Sequence, residues 1–174
     1  MLDPREMKDP SKAFKSNPFK RIELDLVHHG VGPLYGHVGE PGDGNDFARA
    51  HSEQHMRVKG TLSIEGEVAI NINGHGIRDH SWGPRFWQSV PSYRWITGNY
   101  GDDLGMVLSV AGDRRGGMFH KGTELLQIKD IELSTEYEQG TSFHKKLIAE
   151  VTLENGDQHH VEGVVKGFIP LRNR

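Results

Sequence analysis

The stretch Arg57-Val58-Lys59-Gly60-Thr61-Leu62-Ser63-Ile64-Glu65-Gly66-Glu67-Val68-Ala69-Ile70-Asn71-Ile72 decides the fold class. Val58, Leu62 and Ile64 fall on one face, with Arg57, Lys59, Thr61 and Ser63 on the other. Val68, Ile70 and Ile72 then alternate with Glu67, Ala69 and Asn71. Two runs of period two predict two half-buried strands, and Glu65-Gly66 between them predicts a tight hairpin turn.

The same period extends outward from this hairpin. Towards the N-terminus, Ile22, Leu24 and Leu26 alternate with Arg21, Glu23 and Asp25. Towards the C-terminus, Met106, Leu108 and Val110 give a further strand. Leu126 and Ile128, then Ile131 and Leu133, change phase at Lys129-Asp130, as a β-bulge would make them do. Leu147, Ala149, Val151 and Leu153 run into Asn155-Gly156, a strong hairpin signal, and Val161, Gly163, Val165, Gly167 and Ile169 read as the returning strand. No window of helical length carries a 3.6-residue apolar stripe. The reading is an all-β chain of about nine or ten short strands, an antiparallel barrel or sandwich.

Length and composition bound the rest. The 174 residues suit one domain with an arm. Residues 1–18, broken by Asp3-Pro4, Asp9-Pro10 and Asn17-Pro18, read as the polar arm, and residues 19–174 as the single domain. Gly36 to Asp46 reads as a loop. The 21 basic and 24 acidic residues are well mixed, which argues against a clustered nucleic-acid footprint. The absence of cysteine excludes disulfides, thiolate catalysis and cysteine-ligated metals. The apolar runs are too short for a membrane span, and no signal-peptide core opens the chain, so a cytoplasmic protein is expected.

One segment departs from the strand-and-turn pattern: Gly74-His75-Gly76-Ile77-Arg78-Asp79-His80-Ser81-Trp82-Gly83-Pro84-Arg85-Phe86-Trp87. It gathers two arginines, an aspartate, two histidines and two tryptophans. If it continues a strand, Arg78, His80 and Trp82 share one face, while Asp79 and Ser81 share the other. Two readings follow: a buried polar corner that fixes the fold, or a cavity floor with an acid/base pair beside aromatic walls.

The pattern Gly-x-Gly-x-Arg-Asp-His-Ser-Trp-Gly-Pro-Arg-x-Trp over Gly74–Trp87 resembles the signature of the lipocalin-like superfamily of carotenoid 1,2-hydratases and AttH-like proteins. His51-Ser52-Glu53-Gln54 and Tyr93-Arg94-Trp95 resemble further segments of it. The likeness runs from about Leu34 to Leu171 and is closest to the C-terminal barrel of a two-barrel arrangement. It implies a lipocalin-like barrel, with a lone barrel, a homodimer or a partner barrel all open. It also implies alkene protonation chemistry, with His80 and Trp82 at the His-x-Trp positions. The hydratases' following Tyr-x-Asp pair corresponds to Val107-Leu108-Ser109, which has neither residue.

The function expected on these grounds is binding of a hydrophobic small molecule (terpenoid, steroid or polyketide-like) with acid/base chemistry that needs no cofactor. Hydration, dehydration, isomerisation and cyclisation all fit. Asp79, His80 and Arg78 are the catalytic candidates. Trp82, Arg85, Trp87, Tyr93, Trp95, Glu53 and Gln54 are the ligand-binding candidates. A non-catalytic carrier and a structural barrel within a larger assembly are the alternatives. His51, Glu53 and His55 alternate as a facial metal site would, but the spacing fits a polar strand start as well, and no metal is assigned. The pairs His28-His29 and His159-His160, Asp102-Asp103, and the loop Asp113-Arg114-Arg115 are expected at the surface.

Overall fold

The computed structural model describes residues 9, 11–12, 15, 17–38, 49–86 and 89–169. Most of the expected arm, most of the Gly36–Asp46 loop and Trp87 lie outside the described residues. Among those described, no helix is long and apolar enough to cross a membrane.

The described residues form ten antiparallel strands in two sheets. The first contains β1 (Ile22–Gly30), β2 (Tyr35–Val38), β3 (Ala50–Ile64) and β4 (Ile70–Trp82). The long β3 is its spine: β4 pairs along one edge, and β1 and β2 share the other. The second sheet is a meander of β5 (Tyr93–Asn99), β6 (Leu104–Ala111), β7 (Arg114–Lys121), β8 (Glu124–Tyr137), β9 (His144–Leu153) and β10 (Gln158–Val164). It curls strongly into a half-barrel. Arg94 Nη2 on β5 donates to Tyr137 Oη on β8 across the curl, at 3.1 Å.

The curl follows from the sequence. The phase change at Lys129-Asp130 is a register shift between Ile128 and Asp130, and such a bulge bends the strand that carries it. With both halves of β8 turned inward, Ile128 and Ile131 join Met106, Leu108, Phe119, Ala149, Val151, Leu153 and Val161 in one core. The β9–β10 turn uses Gly156 at φ 91°, a left-handed conformation that a side chain would strain. The returning strand stops at Val164, before Ile169.

The β3–β4 hairpin is present and turns at Glu65-Gly66, where the Glu67 N–H donates to the Ile64 carbonyl at 2.9 Å, but one extra residue before β4 offsets the ladder. Pairing begins at Leu62↔Ile70, and Val68 is exposed outside the strand. On β3, alternation sends His51, Glu53, His55 and Arg57 towards the second sheet. Val58 lies on the other face of the first sheet with Leu24, Leu62 and Ile72; it is buried, whereas Leu24 is 62% exposed.

The seam between the sheets therefore combines polar groups with the buried Val107 and Met118, which share the face of Trp95 and His120 on the second sheet. Asp102 does not sit free in its turn as expected: it accepts hydrogen bonds from Arg57 Nη2 at 2.5 Å and His75 Nε2 at 2.7 Å. This clips the β5–β6 turn to the first sheet. Arg114 and Arg115 begin β7 rather than forming a loop, and His159 is half-buried, its ring stacked on Phe119. His28, His29 and His160 are at the surface.

Deeper in the seam, the rings of His55 and His120 are fully buried with centroids 4.9 Å apart. His120 Nδ1 meets the Gly122 carbonyl at 3.2 Å. Its Nε2 and the ring nitrogens of His55 have no well-formed partner, apart from a weak contact of His55 with the Met106 backbone. Gly105 makes room for both rings: a methyl there would stand 2.3 Å from His120 Nε2 and 2.7 Å from His55 Nδ1. Gly105→Ala should thus cost about 1–3 kcal/mol in urea unfolding, and His120→Ala should relieve much of that cost. A Gly105→Ala protein as stable as the parent would show that the rings are free to move aside.

Candidate functional site

The register of β3 on β4 builds the site. Directly opposed residues in an antiparallel pair share a face, and here Glu53 opposes Asp79 while His51 opposes Ser81. A ladder running on from the Ile64–Glu67 turn without an extra residue would have brought Arg78 opposite Glu53. Asp79 would then have been turned to the other side of the sheet. The one-residue offset after the turn places Asp79 beside His51 and Glu53 instead.

His51 Nε2 lies 2.6 Å from Asp79 Oδ1 and 3.5 Å from Glu53 Oε1. The ligating atoms of the three residues all fall within 4.8 Å of one another, so they could hold a divalent cation. Glu53 is 1% exposed and sits behind His51 and Asp79. Trp95 Nε1, from β5 of the other sheet, donates to Glu53 Oε1 at 2.5 Å. Burial pushes the Glu53 carboxyl above its ordinary range. The Trp95 hydrogen bond and the nearby His51 oppose that rise, and the Asp79 carboxylate adds to it. Tyr35, opposite Glu53 on β2, is also raised, first by burial and then by the Glu53 charge.

Above this group is a cavity of about 580 Å³ between the sheets. His51 and Asp79 line its floor, Tyr35, Tyr93 and Trp95 its walls, and Arg85 and Arg114 add positive charge. Arg85 Nη2 donates to Ser81 Oγ at 2.5 Å, which anchors the guanidinium to the Asp79 face. The volume falls in the range of small-molecule sites, and the mixture of aromatic and polar walls is typical of them.

Of the residues singled out from the sequence, Asp79, Arg85, Tyr93 and Trp95 line this cavity and Glu53 lies just behind it. Arg78, His80 and Trp82 are on the opposite, exposed face of β4, where the rings of His80 and Trp82 pack at 5.0 Å. Gln54 also faces away from Glu53 and donates to the Gly32 carbonyl. His51, the group that touches both carboxylates, is missing from the candidates read off the motif. Its signal was the alternation His51-x-Glu53, with Asp79 rather than His55 as the third corner.

Two buried groups give the seam opposite pH responses. Glu53 is raised in the folded state, so between the ordinary carboxylate value near 4.5 and its own value the native protein holds a proton that the unfolded chain releases. Stability falls as pH rises through that window. His55 is lowered by burial and by His120, so stability falls as pH drops below the ordinary imidazole value near 6.5. In melting curves across pH, Glu53→Gln should remove the first decline and His55→Leu the second. Unchanged pH profiles in both variants would contradict these assignments.

No curated protein and no solved structure matches the chain. A family model does match residues 6–174, nearly the whole length. Its description, "Domain of unknown function (DUF7064)", assigns no activity. The inter-sheet cavity and its His51–Asp79 pair are therefore features of a member of the DUF7064 family, to which this chain belongs.

Proposed function

We propose that this protein binds a hydrophobic small molecule in the inter-sheet cavity and moves a proton on it, with His51 and Asp79 as the catalytic pair. The observation that carries the reading is the contact of one imidazole nitrogen with a cavity-lining carboxylate at 2.6 Å and a buried carboxyl at 3.5 Å. A histidine so placed exchanges its proton with a ligand and has a carboxylate to stabilise its charged form. Glu53 acts as a positioning residue. Its charge state sets the field on His51, and the Trp95 indole fixes it in place.

Tyr93 and Trp95 offer aromatic faces to an apolar ligand, and such faces also favour a developing cation. Arg85 and Arg114 suit a carbonyl, enol or carboxylate oxygen at the same ligand's polar end. Isomerisation, hydration, dehydration or cyclisation of a terpenoid, steroid or polyketide-like compound fits this arrangement. The resemblance of Gly74–Trp87 to the carotenoid hydratase and AttH-like superfamily supports the same reading, with the pair moved from Asp79-His80 to His51–Asp79.

The alternative is a carrier that holds the ligand unchanged, and one experiment separates the two. The small molecule that co-purifies with the protein is identified by mass spectrometry, then returned to the protein in D₂O. A proton-transfer enzyme incorporates deuterium at a carbon of the ligand. Asp79→Asn and His51→Gln should slow incorporation by about 10²–10⁴-fold while leaving the melting temperature near that of the parent. A ligand that binds but takes up no deuterium would identify a carrier.

A further inference from the structure

We propose that the open end of the curled sheet is a second ligand site, separate from the inter-sheet cavity, for a small carboxylate with a short apolar tail. The cavity there has a volume of about 370 Å³. Val110, Ile131 and Leu133 form an apolar floor continuous with the core of the half-barrel. Arg94 from β5 and Arg115 from β7 bring two guanidinium groups into its lining, and no Asp or Glu lines it. Their hydrogen bonds to neutral groups, Arg94 to Tyr137 Oη and Arg115 to the Gly112 carbonyl at 2.9 Å, orient both side chains without neutralising them.

Two positive charges over an apolar floor fit a ligand with one anionic end and one greasy end. The guanidinium fork is matched to a carboxylate, and the apolar floor adds contacts that a compact inorganic anion has no tail to use. At the ~30 Å³ that one water occupies in the liquid, the space takes roughly ten heavy atoms. That is the size of an eight-carbon fatty acid.

None of His51, Glu53 or Asp79 lines this cavity, so the site does not depend on the acid/base chemistry next door. Tyr93 and Arg115 line both cavities. They form the wall between the two sites.

The test is titration of the full chain with sodium octanoate, followed by calorimetry and by methyl NMR, with octan-1-ol as the neutral comparison. Saturable octanoate binding is expected with Kd below about 1 mM, shifting the methyls of Val110, Ile131 and Leu133. Octanol should bind at least about tenfold more weakly, and Arg94→Gln and Arg115→Gln should each weaken octanoate by a similar factor. Tyr137→Phe removes the neutral partner of Arg94 but keeps the charge, so it should leave affinity within about threefold. Asp79→Asn should leave octanoate binding unchanged whether or not the acid/base reading holds. Equal binding of octanoate and octanol by the parent, no saturation, or shifts centred on Val90 and Ala111 of the inter-sheet cavity in place of Ile131 would each overturn the proposal.

Discussion

The indole N–H of Trp95, donated across the seam to Glu53, is the contact on which the rest of the site depends. A carboxyl that is 1% exposed is costly to bury without a donor, and the donor comes from the other sheet. The bond therefore does two things. It ties the edge strand β5 to the spine of the first sheet, and it holds a carboxyl behind the His51–Asp79 pair. The aromatic body of Trp95 forms part of the cavity wall, so docking of the sheets and shaping of the cavity are one event.

The seam as a whole departs from the usual sandwich, in which two apolar faces interdigitate. Here the curled sheet wraps most of its apolar residues into its own interior. What it offers the first sheet is Val107 and Met118 together with Trp95, His120 and the Asp102 turn. Groups of this kind cost stability unless each finds a partner, and the buried imidazoles of His55 and His120 find few. A wholly apolar seam would hold the sheets together with less penalty. The polar part of this one places charge-bearing groups around a cavity, which is the arrangement that proton transfer uses.

Much of the fold was legible because it is written in local period. The alternation around Leu62 and Ile70, the phase change at Lys129-Asp130 and the Asn155-Gly156 turn each correspond to a strand, bulge or hairpin of the structure. The division of Gly74–Trp87 into an Asp79/Ser81 face and an Arg78/His80/Trp82 face was legible for the same reason. The partners of Asp79 were not. They depend on one extra residue that follows the Glu65-Gly66 turn, and that residue of register decides whether Asp79 or Arg78 opposes Glu53. The pairing of Trp95 with Glu53 and of His55 with His120 joins strands of different sheets, and no local pattern encodes that.

The central claim is that a buried carboxyl, kept protonated beyond its usual range, stands behind a histidine–aspartate pair. A ¹³C NMR titration of the Glu53 side-chain carboxyl tests it most directly, in the parent and in Asp79→Asn. The account predicts that Glu53 titrates above the ordinary carboxylate value near 4.5, and that its value falls in Asp79→Asn as the neighbouring negative charge is removed. A Glu53 that titrates at or below that ordinary value in the parent would contradict it.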